Sequence, residues 1–157
     1  MPQLTYNFDM SVAVAGMVSD SRAANIISRA AEGDVDFGLA LIQGTDPKVQ
    51  VKVPLAAAGV FEGISVESWN VVQVLSTNTG LYKDTESVPV LRKGKIWVHI
   101  DQDISINDPV YFRHTGGNEG YFRKDADTGN ADLVPTGVFR GDATAASGIA
   151  EIEINLP

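Results

Sequence analysis

Val88–Lys124, VPVLRKGKIWVHIDQDISINDPVYFRHTGGNEGYFRK, decides the fold class of this chain. VPVLR and KIWVHI flank Lys93-Gly94, and a glycine at that place supplies the positive φ of a tight hairpin. Pro89 cannot donate to a ladder, so the first of the two strands reads as an edge or begins with a bulge. After Asp108-Pro109, VYFR pairs with GYFRK across Thr115-Gly116-Gly117-Asn118. The stretch thus predicts two hairpins with aromatic faces.

The β pattern continues in both directions. Upstream, FGLALIQ is apolar on both faces, as a central buried strand requires, and Gly44 with Asp46-Pro47 ends it. KVQVKV alternates, with Val49, Val51 and Val53 expected inward, so Thr45-Asp46-Pro47 joins a hairpin. GVFEGIS and NVVQVL follow, and residues 76–86 read as a polar surface loop. Downstream come LVPTGVFR and AEIEINL, the latter with Ala150, Ile152, Ile154 and Leu156 on one face. One segment departs from the pattern. Ser19-Asp20-Ser21 can cap a short helix near residues 21–31, with Gly33 as its stop, although Asn25, Ile26 and Ile27 weaken it. About ten to twelve short strands, spaced by roughly 8–12 residues with turns between, predict one all-β domain: a sandwich, jelly roll or barrel.

Residues 1–14 stand apart from residues 15–157, the β-rich domain. Leu4, Tyr6, Phe8 and Met10 alternate with Thr5, Asn7 and Asp9, so an extended segment puts the four large apolar groups on one face. They form either the first strand of the domain's own sheet or an arm that completes a neighbouring subunit's sheet.

Composition narrows the function classes. With 157 residues, of which 44% are hydrophobic and 20% charged, the chain has the make-up of an ordinary globular domain. There is no cysteine, which removes disulfides, thiolate metal sites and a cysteine nucleophile and fits folding in a reducing cytoplasm. MPQLTYNFDM lacks a basic n-region, and no apolar run reaches the length of a membrane segment. A formal net charge of −8 opposes both phosphate backbones and anionic membranes, so neither nucleic acid nor a membrane is an expected partner.

No catalytic set emerges. His99 and His114 are the only histidines; the first reads as a strand position beside Trp97 and the second as an exposed residue at the edge of a glycine turn. No nucleophile elbow surrounds any serine. Asp125-Ala126-Asp127-Thr128-Gly129-Asn130 opens like a calcium loop, but its glycine falls one place early and Thr136 stands where the closing Glu belongs. Asp34 with Asp36, and Asp101 with Asp103, are spaced to share a strand face; either could hold a weak cation or mimic a glycosidase pair. Both pairs sit at expected strand ends, where solvated turn carboxylates are the simpler reading. Arg140-Gly141-Asp142 reads as a strand end and turn. The expectation is a protein without catalytic residues, metal or cofactor.

From about Ala15 to Pro157 the chain resembles the structural cement, or capsid decoration, proteins of tailed bacteriophages. The resemblance lies in the order of GMVSD, SRAAEGDVDFGLALIQG, VFEGIS, VPVLRKGKIWVHID, DPVYFR, GYFRKDAD and AEIEINLP. It implies a non-enzymatic protein, made in the host cytoplasm, that binds the outer surface of the virion head. There it would bridge major capsid subunits as a homodimer or homotrimer. Leu4, Tyr6, Phe8 and Met10, with edge groups around Pro89, are the expected partner contacts. The alternative is a carbohydrate-binding jelly-roll module that stacks sugars on Trp69, Tyr82 and Tyr111.

Overall fold

The computed structural model of the chain describes residues 13–20, 23–56, 59–68, 73–74 and 79–157. Its described strands are β1 (Asn25–Ala31), β2 (Val35–Asp36), β3 (Ala40–Gln43), β4 (Gln50–Lys52), β5 (Phe61–Ser65), β6 (Gln73–Val74), β7 (Thr79–Tyr82), β8 (Ser87–His99), β9 (Pro109–Arg113), β10 (Phe122–Arg123), β11 (Ala131–Phe139) and β12 (Ile149–Asn155). Among the described residues a single 3-10 turn, Asp127–Gly129, interrupts them. The fold is all-β.

β8 is the shared wall of two closed circuits. In the first, β1-β4-β3-β5-β8 returns to β1, because β1 pairs with both β4 and β8. That closure makes a small barrel with no free edge among its five strands. In the second, β8-β12-β11-β9-β10 is closed by a bridge from Phe122 back to Ile100, the residue after β8. Of the three architectures expected, the barrel is the one formed.

The expected hairpin at Lys93-Gly94 is instead one continuous strand of 13 residues. Gly94 has its positive φ, +131°, but uses it next to a bulge: Ile26 opposes Leu91 while Asn25 opposes Lys93, so Arg92 is the extra residue. An extra residue flips the side-chain alternation. Val88 and Val90 therefore enter one core, with Ala31, Val35, Phe37, Leu41, Val51 and Tyr82, while Ile96 and Val98 enter the other. The second core holds Ile100, Phe112, Phe122, Phe139, Ile152 and Ile154, each at most 2% exposed. Burying each such side chain stabilises the fold by about 1.5–3 kcal/mol.

The helix expected near residues 21–31 is also replaced, by β1. Ile26 and Ile27 favour extended backbone, and β4 and β8 on its two sides take up its backbone groups. Two hairpins form as expected. Ile42 pairs with Lys52 across the Thr45–Pro47 turn, and Phe112 pairs with Phe122. Within KVQVKV, Val51 is fully buried but Val49 is 52% exposed, because Val49 belongs to the turn, where its amide donates to the Asp46 carbonyl.

Candidate functional site

The nominated contacts Leu4, Tyr6, Phe8 and Met10 lie outside the described residues, as does Trp69. Pro89 is not at an edge. It lies in β8 opposite Ser28 of β1, and on its other side its carbonyl accepts the Val66 amide at 2.9 Å. Within a strand, a residue's N–H and C=O point to the same neighbour. The donor that Pro89 lacks therefore faces the β5 side just beyond Ser65, where β5 has ended. Proline is tolerated there inside the sheet, and the residue itself is half-buried.

The polar residues singled out from the sequence are held in separate structural roles. His114 is buried rather than exposed, with Nδ1 2.9 Å from the Thr115 hydroxyl oxygen and Nε2 3.8 Å from Asp132. Asp101 is not a solvated turn carboxylate. Its side chain is 7% exposed, 2.8 Å from Arg113 and 3.6 Å from Arg123. Asp125 and Asp127 also face arginines: Arg123 contacts both at 3.0 Å, and Arg113 pairs with Asp127. The letters of a calcium loop thus surround guanidinium groups. Asp103 accepts the Ala145 amide at 2.8 Å, and Asp34 pairs with Lys83 at 2.9 Å, so neither aspartate pair shares a task. Tyr82 is a core residue, 2% exposed, whose hydroxyl donates to the Val66 carbonyl at 2.6 Å. Burial pushes that phenol up to about 12 and leaves no face for a sugar. Among the described residues, no group of three or more His, Asp or Glu is placed to hold a metal ion.

His99 stacks on Tyr121, with ring centroids 5.0 Å apart and planes 17° from parallel. Burial holds its imidazole below the usual range, against the opposing pull of Asp36 and of a bond to the Gly148 backbone. Burial raises Asp36, and His99 pulls it back. Between His99's lowered folded value and its unfolded value near 6.5, the unfolded chain binds more protons, so stability falls as pH drops through that window. Asp36 acts with the opposite sign, in a window that begins near 4 and runs up to its raised folded value. Melting temperatures at pH 7 and pH 5.5 should fall further for the wild type than for His99→Gln. Equal falls would remove His99 from the account.

Large apolar side chains remain at the surface. Leu55 and Val60, 70% and 64% exposed, lie in the β4–β5 connection, and Leu133, 54% exposed, stands across from Tyr111 on β11 and β9. Two buried ion clusters were not legible as such. Glu62, 3% exposed, accepts from Arg92 at 2.9 Å, Arg29 at 3.2 Å and Gln43 at 3.2 Å. A sequence signal existed: a lone Glu inside the apolar run VFEGIS, with an Arg ending VPVLR. The other cluster is the one around Asp101. Both fasten strands together.

A family model described as structural cement protein (E217 gp24/Pam3 gp6) matches residues 2–155. The chain belongs to that family. The resemblance drawn from the ordered blocks GMVSD to AEIEINLP is thereby confirmed, and the cement protein is a structural phage protein. Among solved structures, a chain from the capsid of Myoviridae phage XM1 shares the fold at a TM-score of 0.80. That likeness covers 96% of this chain and 94% of that one at 17% identity. No curated protein matches the chain significantly.

Proposed function

We propose that this cement protein binds the outer surface of an assembled phage head, bridges neighbouring major capsid subunits and stiffens the shell. It does so without catalysis, as a homodimer or homotrimer. The family match over residues 2–155 carries the reading. The physics of the chain supports it. Closed strand circuits give a stiff body with few open edges for unwanted pairing. A formal net charge of −8 suits a surface turned away from packaged nucleic acid. Adhesion is multivalent, because joining several modest contacts in one oligomer raises avidity by about 10²–10⁴.

The alternating apolar row Leu4, Tyr6, Phe8 and Met10, within an arm of residues 1–14, is the proposed contact between subunits or with the shell. Deleting residues 1–12 should lower the oligomer mass in solution and cut co-sedimentation with cement-free heads by roughly tenfold or more. An unchanged mass together with unchanged sedimentation would reject the arm. A wild-type protein that never sediments with heads would reject the cement reading itself.

A further inference from the structure

A cleft of about 650 Å³ opens on the outer face of β8 and β12, lined by Trp97, Asp103, Ile104, Asp142, Ala143, Thr144, Ser147 and Ile149. Its far wall is the bridge in which Ile104 and Ala143 exchange backbone bonds at 2.9 and 3.2 Å. The two carboxylates are fixed in place. Asp103 accepts the Ala145 amide at 2.8 Å, and Asp142 accepts the Ile106 amide at 2.7 Å, each through Oδ1. Neither has a cation within ion-pair distance among the described residues, whereas Asp34, Glu62, Asp101, Asp125, Asp127 and Glu153 all do.

The balance of donors and acceptors identifies the occupant. Among the described residues the lining includes no Lys, Arg, His, Asn or Gln, and Ser147 already directs its hydroxyl at the Thr144 carbonyl, 2.6 Å away. What remains toward the cleft is an indole, the Thr144 hydroxyl, aliphatic surface and carboxylate lone pairs, so acceptors outweigh donors. A sugar hydroxyl both gives and takes hydrogen bonds and would find few donors here. A guanidinium is donor-only, planar and cationic; it stacks on an aromatic face and forks onto carboxylates better than an ammonium does. The volume exceeds one side chain and suits a short loop.

We propose that the Trp97 cleft receives an arginine presented by a loop of a protein partner. Taken with the head-binding reading, on which this clause rests, that partner is the capsid shell. The contact would give the acidic protein a specific, salt-sensitive anchor in addition to its arm.

Two measurements test the cleft separately from the function. The first follows the indole N–H signal of Trp97 by NMR at low salt. The probes are N-acetyl-Gly-Arg-Gly-amide, its Lys and Gln counterparts, and cellobiose. Saturable shifts with the Arg peptide, weaker with Lys, absent with Gln and cellobiose, and reduced at least tenfold in D103N/D142N are expected. Asparagine keeps each Oδ1 acceptor, so the backbone bonds survive and the fold with them. No saturation with the Arg peptide, an equal response to Gln, or a response to cellobiose alone overturns the proposal. The second compares wild type and D103N/D142N for retention on cement-free heads across a salt series. Equal retention by both denies the cleft a role on heads while leaving the cement function intact. Failure of the wild type to bind heads removes the shell as partner but leaves the peptide result to decide the arginine site.

Discussion

Gly63→Ala should cost about 3–5 kcal/mol of stability, as much as deleting a large core side chain. Two independent obstacles meet at that residue. Its φ is +155°, a value that L side chains rarely adopt, and a Cβ there would sit 2.4 Å from the Leu91 carbonyl oxygen and 2.6 Å from the Val90 side chain. The first neighbour is backbone in the middle of β8 and cannot rotate away. The second lies in the core on the other side of the same seam. β5 reaches β8 this closely because Glu62 is bulged out of the β3–β5 ladder: Leu41 opposes Gly63 and Ile42 opposes Phe61. For a chain of this length the loss corresponds to a fall in melting temperature of about 10 °C. Gly117→Ala is the control. Its φ is +88°, but nothing lies within 4 Å of its Cβ direction, so only the backbone term remains, about 1–2 kcal/mol. Equal losses in thermal melts of the two variants would show that close approach at the β5–β8 seam is not what excludes a side chain.

Whatever rested on local pattern was readable from the sequence, and whatever rested on pairing between distant strands was not. The alternation of β12 and the two hairpins that formed are encoded within a dozen residues of each other. Lys93-Gly94 is different. A glycine with positive φ serves a hairpin and a bulge equally well, and only β1, about sixty residues away, selects the bulge by skipping Arg92. The segment 21–31 shows the same limit. Its alanines and two arginines favour a helix slightly, by tenths of a kcal/mol per residue, and two flanking strands outweigh that preference. The nominated site residues fared according to the same rule. Pro89 was assigned to an edge because a missing donor is usually tolerated there, whereas here it faces the space beyond the end of β5. Asp142 is too far in sequence from Trp97 and Asp103 to suggest a cleft, and the Ile104–Ala143 bridge that joins them carries no sequence signature. A carboxylate at a strand end reads as solvated from sequence alone. That default fails at Asp101, where strands close tightly enough to bury a carboxylate between arginines.

Glu62→Ala should rank with Gly63→Ala in cost, for an electrostatic reason. Arg29 lies on the inward row of β1 with Ile27 and Ala31, and Gln43 on that of β3 with Leu41, so Glu62 fills one end of the first barrel between them and Arg92. Both guanidinium side chains are mostly covered, at 22% and 23% exposure, and each has a buried Nε without a partner. Removing the carboxylate leaves two like charges close together in a poorly solvated space. Breaking a buried pair in this way costs about 3–5 kcal/mol. The wild-type cluster need not itself add much net stability, since desolvating three charges offsets most of their attraction. The two statements separate experimentally. Arg29→Met/Glu62→Leu/Arg92→Met removes all three charges together and should recover at least 2 kcal/mol of what Glu62→Ala loses, by urea unfolding with unchanged m-values. Raising salt to 1 M should leave the Glu62→Ala deficit nearly intact, because covered charges are weakly screened. The exposed pair Lys83–Asp34, 61% and 50% exposed, supplies the opposite limit, and Asp34→Asn should leave the urea midpoint close to that of the wild type. If the triple variant is as unstable as Glu62→Ala, the cluster acts as a packed hydrogen-bonded plug whose shape, not its charge balance, closes the barrel end.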